Sequence, residues 1–262
     1  MQPDLSQKNA IVCGSSQGIG KAIAEQFAIA GASVTLVARN QQRLESVVAG
    51  LATDQGQTHD ILVADYSDPS AVKKCASEFA SSGRTAHILV NNTGGPPAGP
   101  AFGADATEFV DAFNSHLVCN HHLVQTLVPA MQAAGYGRII NVTSISARDP
   151  IANLGVSNTI RAAVTNWAKS LSRELAADGI TVNNLLPGMT ATARLESLIS
   201  GLAEKESRSV DEVTADFVSV IPARRFASPD EIASVATFLA SPAAAYVNGI
   251  NLTVDGGRSA SI

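Results

Sequence analysis

The sequence predicts an α/β fold: a doubly wound, seven-stranded parallel sheet with helices on both faces. Three observations predict it. Short apolar runs without polar alternation take turns along the chain with amphipathic segments at helical spacing. That is the pattern of strands buried on both faces and joined by right-handed helical crossovers. Hydrophobic residues make up 45% of the 262 residues but aromatic ones only 5%, so the core is aliphatic and alanine-rich, as helices packed closely on a β-branched sheet require. A glycine-rich turn, GSSQGIG at 14–20, falls directly between the first apolar run and the first helical pattern. No internal repeat, linker or low-complexity stretch divides the chain, so a single domain is expected over residues 1–262.

In chain order, Asn9–Cys13 is the first strand, and Ile19, Ile23, Phe27 and Ala30 recur at helical spacing until Gly31 stops the helix. Ser33–Ala38 is the second strand, followed by a helix over 41–50. Asp60–Ala64 is the third, and Asp68-Pro69 supplies an N-cap and a proline at N1 for a helix to about Ser82. Ala86–Val90 is the fourth strand, and NNTGGPPAGP after it is a loop. Asp105 and Glu108 form a capping box for a helix, with a break along its length, to about Ala133. Arg138–Thr143 is the fifth strand, Leu154–Ala177 a helix, Ile180–Leu185 the sixth strand, and 193–220 a polar helical stretch. Ser228-Pro229-Asp230-Glu231 starts the last helix, and Asn251–Val254 is the seventh strand.

The balance of charge excludes some partners. A net charge of −5 offers no general basic field for nucleic acid. No apolar run reaches the length of a membrane span, and the opening MQPDLSQKNA has neither the basic nor the apolar region of an export signal. Cys13, Cys75 and Cys119 are odd in number and far apart, which suits a reduced, cytoplasmic setting. No His, Cys, Asp or Glu set has metal-ligand spacing, so no metal site is expected.

The chemistry gathers at the carboxyl ends of the strands, where such sheets bind ligands. Gly14, Ser16, Gln17, Gly18, Ile19 and Gly20 form the turn between strand and helix. There glycines let the backbone approach a pyrophosphate and a helix N-terminus supplies donors, as in the Rossmann dinucleotide fold. Arg39 follows the second strand, where an acidic residue would bind a ribose 2′-OH and a basic one suits a 2′-phosphate. NADP(H) is therefore the preferred cofactor, with NAD(H) as the alternative. The fifth strand ends in the hydroxyls of Thr143 and Ser144. The next helix sets Ser157 and Arg161 four residues apart, on one face.

The GxxxGxG turn, NNTG at 91–94, the Ser144 strand end and PGMTAT at 187–192, in this order, resemble the short-chain dehydrogenase/reductase family. In style the chain is nearest to the 3-oxoacyl-carrier-protein-reductase-like members, over about residues 7–257. The resemblance implies that Gly14, Ser16, Gln17, Ile19 and Gly20 line the pyrophosphate and that Asp65 meets the adenine. It places Asn92, Thr93 and Gly94 beside the adenine ribose, and Pro187, Gly188, Thr190 and Thr192 at the nicotinamide end. It implies a homotetramer or homodimer. The stretch GGPPAGPAFG at 94–103 and the segment 190–220 are expected to wall the substrate pocket, with Arg148 and Arg194 available to an anion.

The resemblance breaks at the centre. The family's catalytic tyrosine falls at position 157, here Ser; its lysine at 161, here Arg; its helix asparagine at 116, here His. Tyr66, Tyr136 and Tyr246 are the only tyrosines, and none lies in 144–161. Arg161 stays charged and cannot itself donate the proton, but it can hold ribose hydroxyls or a substrate anion. His116, with an ordinary pKa near neutrality, is the candidate acid or base, directly or through water. The expectation is an NADP(H)-dependent oxidoreductase moving hydride between nicotinamide and a carbonyl/alcohol substrate with a non-standard proton relay on Ser144, Ser157, Arg161 and His116. The alternative is a dinucleotide-binding sensor or partner subunit with little or no redox activity. A non-redox enzyme like the halohydrin dehalogenases shares the arginine. Those enzymes keep a tyrosine and lose the glycine turn, the reverse of what stands here.

Overall fold

The computed structural model describes residues 3–260. Its sheet has seven parallel strands in the order β3-β2-β1-β4-β5-β6-β7. The strands are β1 (Asn9–Cys13), β2 (Ser33–Ala38), β3 (Asp60–Val63), β4 (Ile88–Asn91), β5 (Gly137–Val142), β6 (Ile180–Pro187) and β7 (Asn251–Val254). The strand order reverses between β1 and β4, so a crevice opens there beyond their carboxyl ends.

Helices cover both faces. On one lie α1 (Gly18–Ile29), α2 (Gln41–Val48) and α9 (Pro229–Ala240), burying Ile23, Phe27, Leu44 and Leu239 against Leu36 and Val90. On the other lie α3 (Pro69–Ser81), α5 (Cys119–Ala134) and α6 (Gly155–Glu174), burying Phe79, Leu123 and Met131 against Leu89 and Ile139. The three cysteines are free and buried in this second core. Each fully buried Leu, Ile or Phe contributes about 1.5–3 kcal/mol by leaving water, so the two aliphatic layers hold the sheet.

Two elements differ from the expected ones, and the break expected along a third is a π-helical turn. The helix capped by Asp105 is α4 (Ala106–Phe113), then one π-helical turn over Asn114–Val118, then α5. Glu108 accepts from the Asp105 N–H at 3.0 Å, as the capping box requires. The stretch 193–220 is two helices, α7 (Ala193–Glu206) and α8 (Val210–Ser219). Ser207 takes a left-handed φ of 53° between them, and Ser209 and Glu212 form a fresh capping box. Strand β4 begins at Ile88, two residues late; just before it, Asn9 N–H donates to His87 Nδ1 and the Asn9 side chain to the Thr85 carbonyl.

Two further features fix the site. Gly155 packs so closely on Ala101 that a side chain there would collide with its backbone. Its N–H donates to the Gly99 carbonyl at 2.9 Å, while Gly99 N–H donates to the Asn153 carbonyl at 2.7 Å, pinning the 92–101 loop to the start of α6. Beneath the crevice, Asn91, Asn141, Asn184 and Asn251 stand in register on β4, β5, β6 and β7. Each amide donates to the next, at 2.8, 3.0 and 2.8 Å.

Candidate active site

A cleft of about 350 Å³ lies beyond the carboxyl ends of β1, β4, β5 and β6. At one end are Gly14, Gln17, Gly18 and Ile19; at the other are Ser144, Ser157 and Arg161. Asn92, Thr93 and Gly94 line it from the β4 loop, and Pro187, Gly188, Thr190 and Thr192 from the loop after β6. The structure thus brings together residues that the sequence spreads from Gly14 to Thr192.

The glycine turn is shaped by what it cannot contain. Gly14 has a φ of +59°, and a Cβ there would lie 2.6 Å from the Asn92 carbonyl oxygen. A Cβ on Gly20 would collide with the Gly14 carbonyl and stand 2.7 Å from Asn92 Nδ2. The Asn92 amide is committed to the turn, donating to the Cys13 and Gly14 carbonyls at 3.2 Å each. Ser15 is buried and accepts from the Val37 N–H at 3.1 Å, tying the turn to β2. The first turn of α1 has no side-chain cap, so its N–H groups remain available to an anion. An open cradle with uncapped donors fits a dinucleotide pyrophosphate.

Ser16, Gly20, Arg39 and Asp65 stand outside the lining of the cleft. Ser16 and Gly20 belong to the turn itself. Arg39 is exposed at the end of β2. Asp65, after β3, accepts from the Ser67 N–H at 2.9 Å. That bond first, then the Ser67 side chain and the Arg39 charge, hold its carboxyl below the usual range against the opposing effect of burial. Sequence reasoning missed Arg43, whose Nη1 donates to Gln17 Oε1 at 3.0 Å and sets a second cation beside this flank. Its position four residues after Arg39, on the first turn of α2, was the available signal.

At the other end, Ser144 is extended and its Oγ accepts from the Ser146 N–H at 3.1 Å, leaving its own proton free to donate. Ser157 is 9% exposed. Arg161 is as deeply buried, and its Nη1 donates to the Val142 carbonyl at 2.9 Å, two residues before Ser144. Burial first, then Arg194, push its guanidinium down to about 10, so it remains charged. Arg194, on the first turn of α7, spans the cleft mouth and donates to the Gly95 and Pro96 carbonyls at 3.1 and 3.2 Å. Among the described residues no tyrosine lines the cleft. Tyr66 is buried in the second core, Tyr136 bonds the Ala240 carbonyl at 2.7 Å, and Tyr246 is fully exposed.

A family model described as Enoyl-(Acyl carrier protein) reductase matches residues 14–259. The chain belongs to the short-chain dehydrogenase/reductase family. It is 31% identical to the NADPH-dependent reductase BacG of Bacillus subtilis, over 98% of this chain and 100% of that one. It is 33% identical to the 3-oxoacyl-[acyl-carrier-protein] reductase FabG of Haemophilus influenzae, over 97% and 98%. Among solved structures it superposes on the L-sorbose reductase of Gluconobacter frateurii, complexed with NADPH and L-sorbose, with a TM-score of 0.94, 32% identity and full coverage of both chains. Fold and family together make the protein an oxidoreductase of the short-chain type.

Within that family frame, His116 has a setting different from the one the sequence suggests. It lies on the π-helical turn, is 2% exposed, and does not line the cleft. Burial first, then the charges of Arg161 and Arg194, push its imidazole down to about 2, against a hydrogen bond with the Gly94 backbone. A neutral imidazole with that pKa is no proton donor at working pH. It borders a polar cavity of about 10 Å³ together with Arg161 and Asn120, room for about one water molecule. Sequence reasoning also missed Asn120, one turn further on; its Oδ1 and the Arg161 Nε have no hydrogen-bond partner among the described residues. An asparagine on an otherwise apolar helix face was the signal.

The burial of neutral His116 has a consequence for stability. Its folded pKa is depressed, so the unfolded chain binds the proton more readily. The stability it contributes is full above the unfolded value of 6.5 and is lost as pH falls toward about 2. Between pH 7 and pH 5 the loss is about 2 kcal/mol. His116→Gln, which keeps a hydrogen-bonding group, is expected to flatten the melting temperature over that range. Melting curves at half-unit pH steps measure it, and an unchanged slope would contradict the assignment.

Proposed function

We propose that the protein is an NADP(H)-dependent oxidoreductase that interconverts a carbonyl and an alcohol in one cytoplasmic domain. The supporting observation is a cleft that carries the glycine cradle at one end and Ser144, Ser157 and Arg161 at the other. The nicotinamide, when bound, supplies or takes up the hydride. Ser144 Oγ–H donates a hydrogen bond to the carbonyl oxygen, and Ser157 holds it from α6. The fixed charge of Arg161 stabilises the negative charge that grows on that oxygen, acting where water is partly excluded. The oxygen then takes its proton from solvent entering the open cleft, since neither Arg161 nor His116 gives one up. His116 acts as a positioning residue, through Gly94 and the small cavity beside Arg161.

Arg39, aided by Arg43, holds the 2′-phosphate of NADP(H), with Asp65 beside the adenine and the loop from Asn92 to Gly94 beside its ribose. The loop and helices at 187–220 wall the substrate. Exposed Val110 and Phe113 on α4 favour assembly into a homotetramer or homodimer. Among the described residues no helix is long and apolar enough to cross a membrane.

The test is binding of NADPH and NADH by fluorescence, then NADPH oxidation across a carbonyl panel. Tight NADPH binding with no turnover on any carbonyl would replace this reading with a dinucleotide-binding partner or sensor. That second reading is favoured by the lack of a tyrosine in the cleft. Arg39→Asp is expected to weaken NADPH binding by about 100-fold while sparing or improving NADH; equal loss of both would deny Arg39 its role.

A further inference from the structure

The lining of the cleft contains two guanidiniums and no acid. Arg161 and Arg194 both line it, and among the described residues no Asp or Glu does. Neither arginine has a carboxylate partner among the described residues, whose ion pairs lie elsewhere on the surface. The two converge on one place. A Cβ built on Gly95 would lie 3.2 Å from Arg161 Nη2 and 2.9 Å from Arg194 Nη2. Gly95 has no side chain, so the space between the guanidiniums stays open.

Both arginines are held in place yet keep donors to spare. Arg161 uses Nη1 on Val142, and Arg194 uses Nη1 and Nη2 on Gly95 and Pro96. Each guanidinium carries five N–H groups, so most remain for a ligand. Arg161 is a buried cation without a counter-ion, which is costly; Arg194 reaches it from the exposed rim, and a planar carboxylate answers two guanidinium forks better than any neutral group. The glycine cradle has uncapped N–H groups of its own for a pyrophosphate. Arg161 stands at the Ser144 end instead, and Arg194, bonded to the β4 loop, reaches toward it.

The geometry points to an anion subsite formed by Arg161 and Arg194, and to a substrate that is a short oxo acid, or the matching hydroxy acid, with its carboxylate a few bonds from the reacting carbon. The short spacing follows from Arg161 being rooted on Val142, two residues from Ser144 on the same strand end. This rests on the oxidoreductase reading above and names its substrate class. The anion could instead be a cofactor phosphate, because Thr192, two residues before Arg194, lies against Gly18 of the cradle. The experiment separates the two.

Three pairs serve as probes: pyruvate, acetoacetate and levulinate, each against its methyl ester. Wild-type protein, Arg194→Gln and Arg194→Lys are compared in NADPH oxidation. NADPH affinity of each is measured separately. Binding of each acid to the NADP⁺ complex is followed by calorimetry, which needs no turnover. Wild type is expected to prefer at least one acid over its ester by about 100-fold or more, Arg194→Gln by less than about tenfold, and Arg194→Lys by an intermediate factor, with NADPH affinity changed less than about threefold. An acid/ester ratio near one in the wild type, with no calorimetric binding of any acid, overturns the proposal. So does Arg194→Gln weakening NADPH by tenfold or more while leaving the acid/ester ratio intact, because the anion is then the cofactor's. Calorimetric binding that depends on Arg194 without any turnover upholds the subsite and sinks the oxidoreductase reading alone.

Discussion

Arg161→Met is expected to make the protein inactive and more stable at once. The two effects have one origin. Depression of the Arg161 pKa from 12.5 to about 10 corresponds to about 3 kcal/mol against the charged form in the folded, ligand-free protein. Methionine removes that charge, fills similar volume beside Val142 and Val164, and gives up one hydrogen bond to the Val142 carbonyl, worth about 1.5 kcal/mol. The balance is a gain of about 1–2 kcal/mol, or a melting temperature higher by about 3–5 °C. On the wild type's best carbonyl substrate, kcat/KM should fall by about 1,000-fold, the scale for losing one fixed stabiliser of developing charge. Arg161→Lys keeps the charge but not the fork, and should recover part of the activity and none of the added stability. Calorimetric melting and steady-state kinetics on the same preparations decide it. Turnover within tenfold of wild type would remove Arg161 from the chemistry.

Gly20→Ala should reduce NADPH affinity by about 100- to 1,000-fold, and it should do so against the local preference of the chain. Gly20 lies in the first turns of α1, and in a helix alanine is ordinarily better than glycine by about 1 kcal/mol. Here the added methyl would collide with the Gly14 carbonyl and press on Asn92 Nδ2, the amide that holds the turn to β1 and β4. Backbone on one side and a bonded amide on the other leave no easy escape, so the cradle itself must shift. Stability should fall by about 2 kcal/mol. Gly201→Ala is the control. That glycine is on α7, a Cβ there meets nothing within 4 Å, and the change should stabilise by about 1 kcal/mol with NADPH binding unaltered. Fluorescence titration with NADPH compares them; equal affinities for both variants would mean that the cradle tolerates a side chain.

Much of the fold is legible in the order of the residues alone. The strands β1 and β2 are apolar or β-branched runs bounded by turn residues, and β5, β6 and β7 keep that pattern around their asparagines; the helical crossovers between them make the sheet parallel. The split of 193–220 into two helices is marked by Ser209-Val210-Asp211-Glu212, a capping box inside a polar stretch, a faint signal because no glycine or proline precedes it. The π-helical turn at Asn114–Val118 has no such mark; neither proline nor glycine interrupts that run, and tertiary packing alone decides it. The site shows the same division. Spacing puts Ser157 and Arg161 on one face, but not their depth, nor that Arg161 would be anchored on Val142. An ordinary pKa near neutrality makes histidine attractive as an acid, whereas depth and two neighbouring cations make His116 neutral. Periodicity reports which way a side chain points; it says nothing about how much water it keeps.

The row of four asparagines under the cleft gives the buried cation a partner that is not an ion. All four amides run the same way, so their small dipoles add along the row, with hydrogen bonds that polarise one another. The donor end is at Asn251 on the exposed edge; the acceptor end is Asn91 Oδ1, which is buried, has no hydrogen-bond partner among the described residues, and belongs to the wall of the cavity that Arg161 also borders. The negative end of the row and the positive charge of Arg161 thus border the same small cavity. A carboxylate in that place would neutralise the arginine and compete with any incoming anion. A dipolar row softens the charge and leaves it free to bind. The electrostatics of the reacting centre are therefore set in part by a strand three places away, at the rim of the sheet.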